Sequence, residues 1–244
     1  PAFDDPRTAA GQGTVAREVF SQLGHVPDVL MIPVGGGGLL SGCGAWTRVN
    51  HPGVRIIGVE PAGAACMKAS FEAGHVVKLP AANTIADGAA VARAGDFSYA
   101  MTRLISPELL AVPEGQVCSE MLGLYQVDGI IAEPAGALAS AALSRRPFDV
   151  SVQLEPGQEV VVIVSGGNND VSRYAEVIDG NISEQVALLN ALAASWSEVM
   201  PANEALQGPV DELGRCNGVY GFLVGRPDGS HVTSQEDPPT WDPR

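Results

Sequence analysis

The sequence holds 244 residues with a formal net charge of −14, from 14 lysines and arginines against 28 aspartates and glutamates. That length suits one large α/β domain plus a tail better than two full domains, and that charge repels phosphate backbones and anionic membranes, which argues against nucleic acid and leaves a small soluble ligand as the expected partner. Cys43, Cys66, Cys118 and Cys216 form no C-x-x-C pair, Pro1 to Arg7 is no signal segment and the apolar runs are too short for a bilayer, so a reducing cytoplasm is expected and a zinc site, disulfide framework or membrane anchor is not.

After the polar turn Asp4-Asp5-Pro6, the stretch Gly13 to Gly24 sets Val15, Val19, Phe20 and Leu23 on one helical face, with Gly24 as the stop. Asp28 to Val34 reads as a continuous buried strand that runs into Gly35-Gly36-Gly37-Gly38, after which a helix resumes over Leu39 to Val49. Val54 to Val59 is a second buried strand and Gly63 to Ala73 a further helix, closed near Gly74. Leu109 to Val112 is a short strand, Glu114 to Val127 a helix that turns Val117, Met121, Leu124 and Tyr125 inward, and Pro134 to Leu143 an alanine-rich helix. The last strand, Glu159 to Val164, again ends in glycines, at Ser165-Gly166-Gly167-Asn168, and a helix is expected over Asn169 to Ile178.

This alternation predicts an α/β fold of three layers, a parallel sheet flanked by helices. The expected domain covers 1–178. Residues 179–200 read as a helix or linker in which Val186, Leu189, Ala193 and Trp196 share a face, and 201–244, with six prolines and little periodicity, as a mostly irregular tail.

Four glycines at the C-terminal end of a buried strand leave backbone N–H groups uncovered at a helix N-terminus, an environment suited to phosphate, although a plain tight turn reads equally well. Gly35, Gly37 and Gly38 do not give G-x-G-x-x-G spacing, so a dinucleotide fold is a minority reading that rests on Glu60 at the end of the next strand. The Ser165 to Asn168 turn taken alone is a strand-to-helix turn with a capping residue. Two such turns at the same edge of one sheet, where open α/β sheets place their ligands, would converge on one molecule.

The spaced segments F-D-D-P-R-T-A-A-G-Q-G-T at Phe3 to Thr14, P-V-G-G-G-G-L at Pro33 to Leu39, G-V-E-P-A-G-A at Gly58 to Ala64, T-I-A-D-G at Thr84 to Gly88, A-E-P-A-G-A at Ala132 to Ala137 and S-G-G-N at Ser165 to Asn168 together resemble threonine dehydratases. The resemblance covers residues 1 to about 176. It implies the large-domain portion of the fold type II pyridoxal-phosphate architecture, shared with serine racemase and the tryptophan synthase β subunit. It also implies β-elimination from L-threonine to give 2-oxobutanoate and ammonia, as in isoleucine and branched-chain amino-acid biosynthesis. A serine/threonine dehydratase or racemase of the same fold, and a noncatalytic fragment that binds a phosphate ligand, are the rival readings. An amino-acid substrate and a homo-oligomer are the partners it implies.

Carried over by residue, Gly35, Gly36, Gly37, Gly38 and Leu39 would hold the pyridoxal 5′-phosphate cofactor by its phosphate, Gly88 would leave room for one ring face, Glu133 would stand near the cofactor edge, and Ser165 would hydrogen-bond the pyridine nitrogen. A hydroxyl does not force that nitrogen to carry a proton, which suits elimination better than transamination. For Glu133 an exposed carboxylate at a helix N-terminus is an equal reading.

The family's Schiff-base lysine stands in a Ser-x-Lys segment and its substrate loop reads Ser-x-Gly-Asn-His; these 244 residues contain neither motif, and their two lysines, Lys68 and Lys78, lie outside any cofactor motif. No catalytic residue is therefore assigned, and turnover is expected to need those segments. The positions that hold a divalent cation in some relatives are Glu60, Ala64 and Cys66 here. A thiol replaces a hard oxygen, so no metal site is expected and Glu60 reads as structural. His25, His51, His75 and His231 are given no role, and residues 181–244 show no likeness to the regulatory domain of many threonine dehydratases.

Overall fold

The computed structural model describes residues 2–143, 150–167, Tyr174 and Val177, together with the backbone of 223–225 and 231–233. Strands β1 (Val29–Pro33), β2 (Arg55–Pro61), β3 (Glu108–Val112) and β4 (Val160–Val162) form one sheet in the order β3-β2-β1-β4 with every pair parallel. β1 is buried along its whole length because it is paired on both sides, with Val29 opposite Arg55 on one flank and Val160 on the other.

Alternation along the strands divides the core. Val29, Met31, Ile57 and Val59 pack with Val117, Met121 and Leu138, from α5 (Glu114–Gln126) and α6 (Pro134–Ala141). Leu30, Ile32 and Ile56 face the other way, onto Phe20, Leu40, Met67 and Ile105 from α1 (Pro6–Leu23), α2 (Gly38–Asn50), α3 (Cys66–Ala73) and α4 (Asp96–Ile105). The three-layer α/β architecture follows from those two faces. Each large side chain buried this way contributes roughly 1.5–3 kcal/mol of hydrophobic stabilisation.

Several elements differ from the sequence expectation. α1 starts seven residues before Gly13, because Asp5 accepts the Arg7 N–H at 2.8 Å as the N-cap and Pro6 occupies the first turn, where its missing N–H costs nothing. Its buried face is Ala9, Gly13, Ala16 and Phe20. Small residues there let α1 approach α2 closely: a Cβ built on Gly13 would lie 3.1 Å from the Gly42 carbonyl oxygen. Residues 63–73 are a 3-10 turn, Ala62–Ala64, followed by α3, rather than one helix. α4 has no counterpart in the sequence reading, although Phe97, Met101, Leu104 and Ile105 carry helical spacing; it buries Ser98, Thr102 and Ile105 and packs Tyr99 and Met101 against the same core. Tyr125 does not turn inward; it is 53% exposed and its ring leans on Tyr174, 5.2 Å between centroids.

The chain divides into two compact units, Pro1–Asn181 and Ile182–Arg244. In the second, β5 (Leu223–Gly225) and β6 (His231–Thr233) pair antiparallel, within the stretch read as irregular. Asn168, most of the helix expected over 169–178 and all of 179–200 lie outside the described residues; Tyr174 and Val177 are helical and buried.

Candidate functional site

β1 ends at Pro33 and α2 begins at Gly38, so Gly35, Gly36 and Gly37 carry the chain from the sheet edge into the helix. Gly37 is the N-cap at φ 95°, a left-handed conformation that favours glycine, and it offers no side chain to cap the first turn. The N–H groups of Gly36, Gly37, Gly38 and Leu39 have no hydrogen-bond partner among the described residues. Those of Gly38 and Leu39 are orphaned by helix geometry itself. The missing side chains also admit neighbouring protein: a Cβ on Gly35 would sit 2.9 Å from the Ala89 Cα, and one on Gly36 would lie 2.4 Å from the Phe3 ring.

The second glycine turn is locked onto the start of α6. Glu133 is the N-cap of that helix, its N–H donates to the Gly166 carbonyl at 2.6 Å, and Gly136 passes so close to Ser165 that an added Cβ would fall 1.5 Å from the Ser165 carbonyl oxygen. Gly166 adopts φ 75° against the Glu133 side chain. Segment 84–88 is positioned by Glu114, whose Oε2 accepts the Thr84 hydroxyl and the Ile85 N–H, each at 2.9 Å. Gly88 then stands beside Ala135 and Glu133.

These segments meet in one cleft of about 270 Å³. Gly35, Gly36, Gly37, Gly38, Leu39, Gly88, Glu133 and Ser165 all line it. Ala2, Phe3, Thr8, Gln12, Ala89, Val91 and Ala135 line it as well, and sequence reasoning gave them no place there. The signal for Thr8 and Gln12 was their spacing of four on α1, which sets both on one helix face. A larger groove of about 460 Å³ between α1, α2 and α4 carries one charged group, Arg17, and small or apolar side chains for the most part. It lacks the converging polar backbone of the smaller cleft, which is therefore the candidate site. Uncapped amides and a serine hydroxyl at the carboxyl edge of a parallel sheet suit a ligand that carries a phosphate and a ring acceptor.

Lys68 and Lys78 do not line the cleft. Lys68 pairs with Glu72 one turn along α3, and Lys78 lies in an isolated antiparallel backbone bridge with Arg93. His25 pairs with Glu159 at 2.7 Å, and His51 stacks on Phe20 with centroids 4.6 Å apart. Glu60 is buried at the end of β2, where its two carboxylate oxygens accept the N–H groups of Met67 and Lys68, each at 2.7 Å, and so cap α3. Ala64 and Cys66 are buried nearby, with burial pushing the Cys66 thiol up to about 12.

Burial also pushes the Glu60 carboxyl up to about 7 from 4.5, against the pull of the two amides. A folded state that binds this proton more tightly than the unfolded chain is most stable below pH 4.5 with respect to this group. It loses that contribution as pH rises through 7. The expected result is a downward slope in unfolding free energy across that window, at most about 1.4 kcal/mol per pH unit. Glu60→Gln is expected to abolish the slope, as read by urea titrations at several pH values; an equal slope in the variant would assign it to other groups.

The family model described as pyridoxal-phosphate dependent enzyme matches residues 1–166. A biosynthetic L-threonine dehydratase of Mycobacterium tuberculosis is 48% identical over 184 residues, 75% of this chain and 42% of the relative. That of Bacillus subtilis is 45% identical over 175 residues, covering 72% and 40%. Among solved structures, threonine deaminase isoform 2 from Solanum lycopersicum aligns with TM-score 0.67 at 36% identity, covering 73% of this chain and 51% of that one. Maize serine racemase aligns with TM-score 0.64 at 31% identity, covering 75% and 55%. The chain thus spans about two fifths of the length of the curated relatives it matches.

Proposed function

The chain belongs to the pyridoxal-phosphate dependent enzyme family, and from that membership we propose that its cleft is the cofactor's phosphate and ring-nitrogen site in an enzyme that converts L-threonine to 2-oxobutanoate and ammonia. The observation that carries this reading is the convergence of four separate segments, 35–39, 88, 133–135 and 165, on one cleft. The residues fit the group: amides at Gly36 to Leu39 that have no partner among the described residues suit a phosphate dianion, and the exposed Ser165 brings a hydroxyl that suits a ring nitrogen.

When bound, the cofactor supplies an electron-withdrawing ring that lowers the cost of charge at the substrate's α-carbon. Gly36, Gly37, Gly38 and Leu39 hold the phosphate through their N–H groups, with Gly35 setting the approach of the loop to Ala89. Ser165 donates its hydroxyl hydrogen to the ring nitrogen and leaves that nitrogen without a formal proton, which keeps the sink mild. Gly88 leaves open the face that a side chain would cover. Glu133, held as the N-cap of α6, brings a carboxylate to the same edge. The covalent lysine and the substrate loop come, on this reading, from Ser-x-Lys and Ser-x-Gly-Asn-His segments. The same reading takes 1–178 as the catalytic portion and the protein as a cytoplasmic homo-oligomer in isoleucine biosynthesis. The 31% identity to maize serine racemase favours a dehydratase or racemase acting on serine as the second reading.

The test joins these residues to both segments and compares Ser165→Ala with Ser165→Asp. Ser165→Ala is expected to weaken cofactor binding several-fold, a loss of about 1 kcal/mol for one polar contact, and to slow 2-oxobutanoate release. Ser165→Asp is expected to raise the share of transamination products. Unchanged rates and product ratios in both variants would remove Ser165 from the ring, and D-serine as the main product would favour the racemase.

A further inference from the structure

The glycine loop is clamped from two sides by residues that the cofactor reading leaves without a role. On one side is the first turn of α4. The Gly95 N–H donates to the Gly36 carbonyl at 3.4 Å, and the Ser98 side chain lies so close beneath Gly37 that an added Cβ there would be 2.9 Å from the Ser98 Cβ. On the other side is Phe3, whose ring covers Gly36 and whose backbone crowds Gly38. Asp4 joins the two. Its Oδ1 accepts the N–H groups of Phe97 and Ser98 at 2.9 and 3.2 Å and its Oδ2 accepts that of Asp96 at 3.1 Å, while the Phe3 carbonyl accepts the Ser98 hydroxyl at 3.4 Å. Gly95 is bare because the Asp4 carboxylate occupies the place of its side chain, 2.2 Å from an added Cβ.

We propose that Phe3 and Asp4 are positioning residues for the cofactor phosphate: Asp4 pins the first turn of α4 under the glycine loop, Phe3 closes the loop from above, and the Gly36 to Leu39 amides are thereby held facing the cleft. The proposal rests on the phosphate reading of that loop. A carboxylate that takes three orphan N–H groups at a helix N-terminus is a strong local constraint. The loop itself has little of its own, since glycines resist fixation and these make few bonds. Preorganised amides bind an anion without the entropy cost of ordering them.

The test uses the 244-residue chain with pyridoxamine 5′-phosphate and pyridoxamine, probes without an aldehyde that differ only in the phosphate. Their affinities are measured by fluorescence titration. The ratio of the two constants reports the phosphate contribution alone, because a change in the folded fraction scales both equally. In the unaltered chain the phosphorylated probe is expected to bind much more tightly. The ratio is expected to fall about tenfold in Asp4→Ala and in Phe3→Ala and to be largely kept in Asp4→Asn, which still caps a helix. Phe3→Ala leaves the cap of α4 intact and decides the matter should Asp4→Ala not fold. A ratio unchanged in these variants overturns the clamp and leaves the phosphate reading standing. No preference for the phosphorylated probe in the unaltered chain overturns both.

Discussion

Gly42→Ala is expected to destabilise the protein by about 3 kcal/mol, opposite in sign to what helix propensity alone gives. Gly42 lies inside α2, where alanine is favoured over glycine by roughly 1 kcal/mol. Its Cβ, however, would stand 2.1 Å from the Ala9 carbonyl oxygen and 2.6 Å from the Gly13 nitrogen. Those are backbone atoms of α1, with no rotamer by which to withdraw, so the two helices must part. Overpacking of this kind costs about 1–3 kcal/mol, and the upper end applies where the obstacle is main chain. Gly11→Ala is the control. Gly11 is an exposed position of α1 with nothing among the described residues within 4 Å of an added Cβ, so propensity acts alone there and should stabilise by about 1 kcal/mol. Urea midpoints at fixed slope give both numbers. A stable Gly42→Ala protein would mean that α1 is not seated on α2 as described.

The strand–glycine–helix order was legible because buried parallel strands are continuous apolar runs and glycines interrupt them sharply; β1 and its turn needed no other signal. The cleft-lining residues were legible through spaced segments, since these segments meet in backbone contacts, Gly136 against Ser165 or Gly35 against Ala89. What was not legible has physical causes. α4 buries Ser98 and Thr102, polar residues that periodicity counts as solvent-facing, and Thr102 is satisfied within the helix itself, by the Ser98 carbonyl one turn back at 2.8 Å. The early start of α1 was hidden by Asp4-Asp5-Pro6, which looks like a turn in one dimension. In space it is two caps in succession, Asp4 for α4 and Asp5 for α1. The pairing of residue 4 with residues 96–98 has no trace in local sequence, and neither does the capping of α3 by Glu60 six residues before its start.

Gly136→Ala is expected to cost the chain its ligand site while leaving most of its secondary structure in place. Inside α6 alanine is again the better helix former by roughly 1 kcal/mol, yet its Cβ would overlap the Ser165 carbonyl oxygen at 1.5 Å, less than half a normal contact. Either α6 or the 165–167 turn must move. α6 is buried against β1, β2 and α5, with Gly136 to Ala141 all buried, whereas Ser165, Gly166 and Gly167 are exposed at the end of an edge strand. The turn yields first, because displacing it uncovers little apolar area and displacing α6 uncovers Ala137, Leu138 and Ala139 together. The Glu133 N–H to Gly166 carbonyl bond then breaks, and the Ser165 hydroxyl leaves the cleft edge that it shares with Gly88 and Glu133. Two readouts follow. Far-ultraviolet circular dichroism should change little, with a loss of stability near 2 kcal/mol, and pyridoxamine 5′-phosphate affinity should fall tenfold or more. Gly167→Ala, whose Cβ would meet among the described residues only the Ile131 carbonyl oxygen at an ordinary 3.5 Å, should keep both values near those of the unaltered chain. Full affinity in Gly136→Ala would show that the 165–167 turn takes no part in holding the ligand, and the cleft would then be defined by the glycine loop, Phe3 and Gly88 alone.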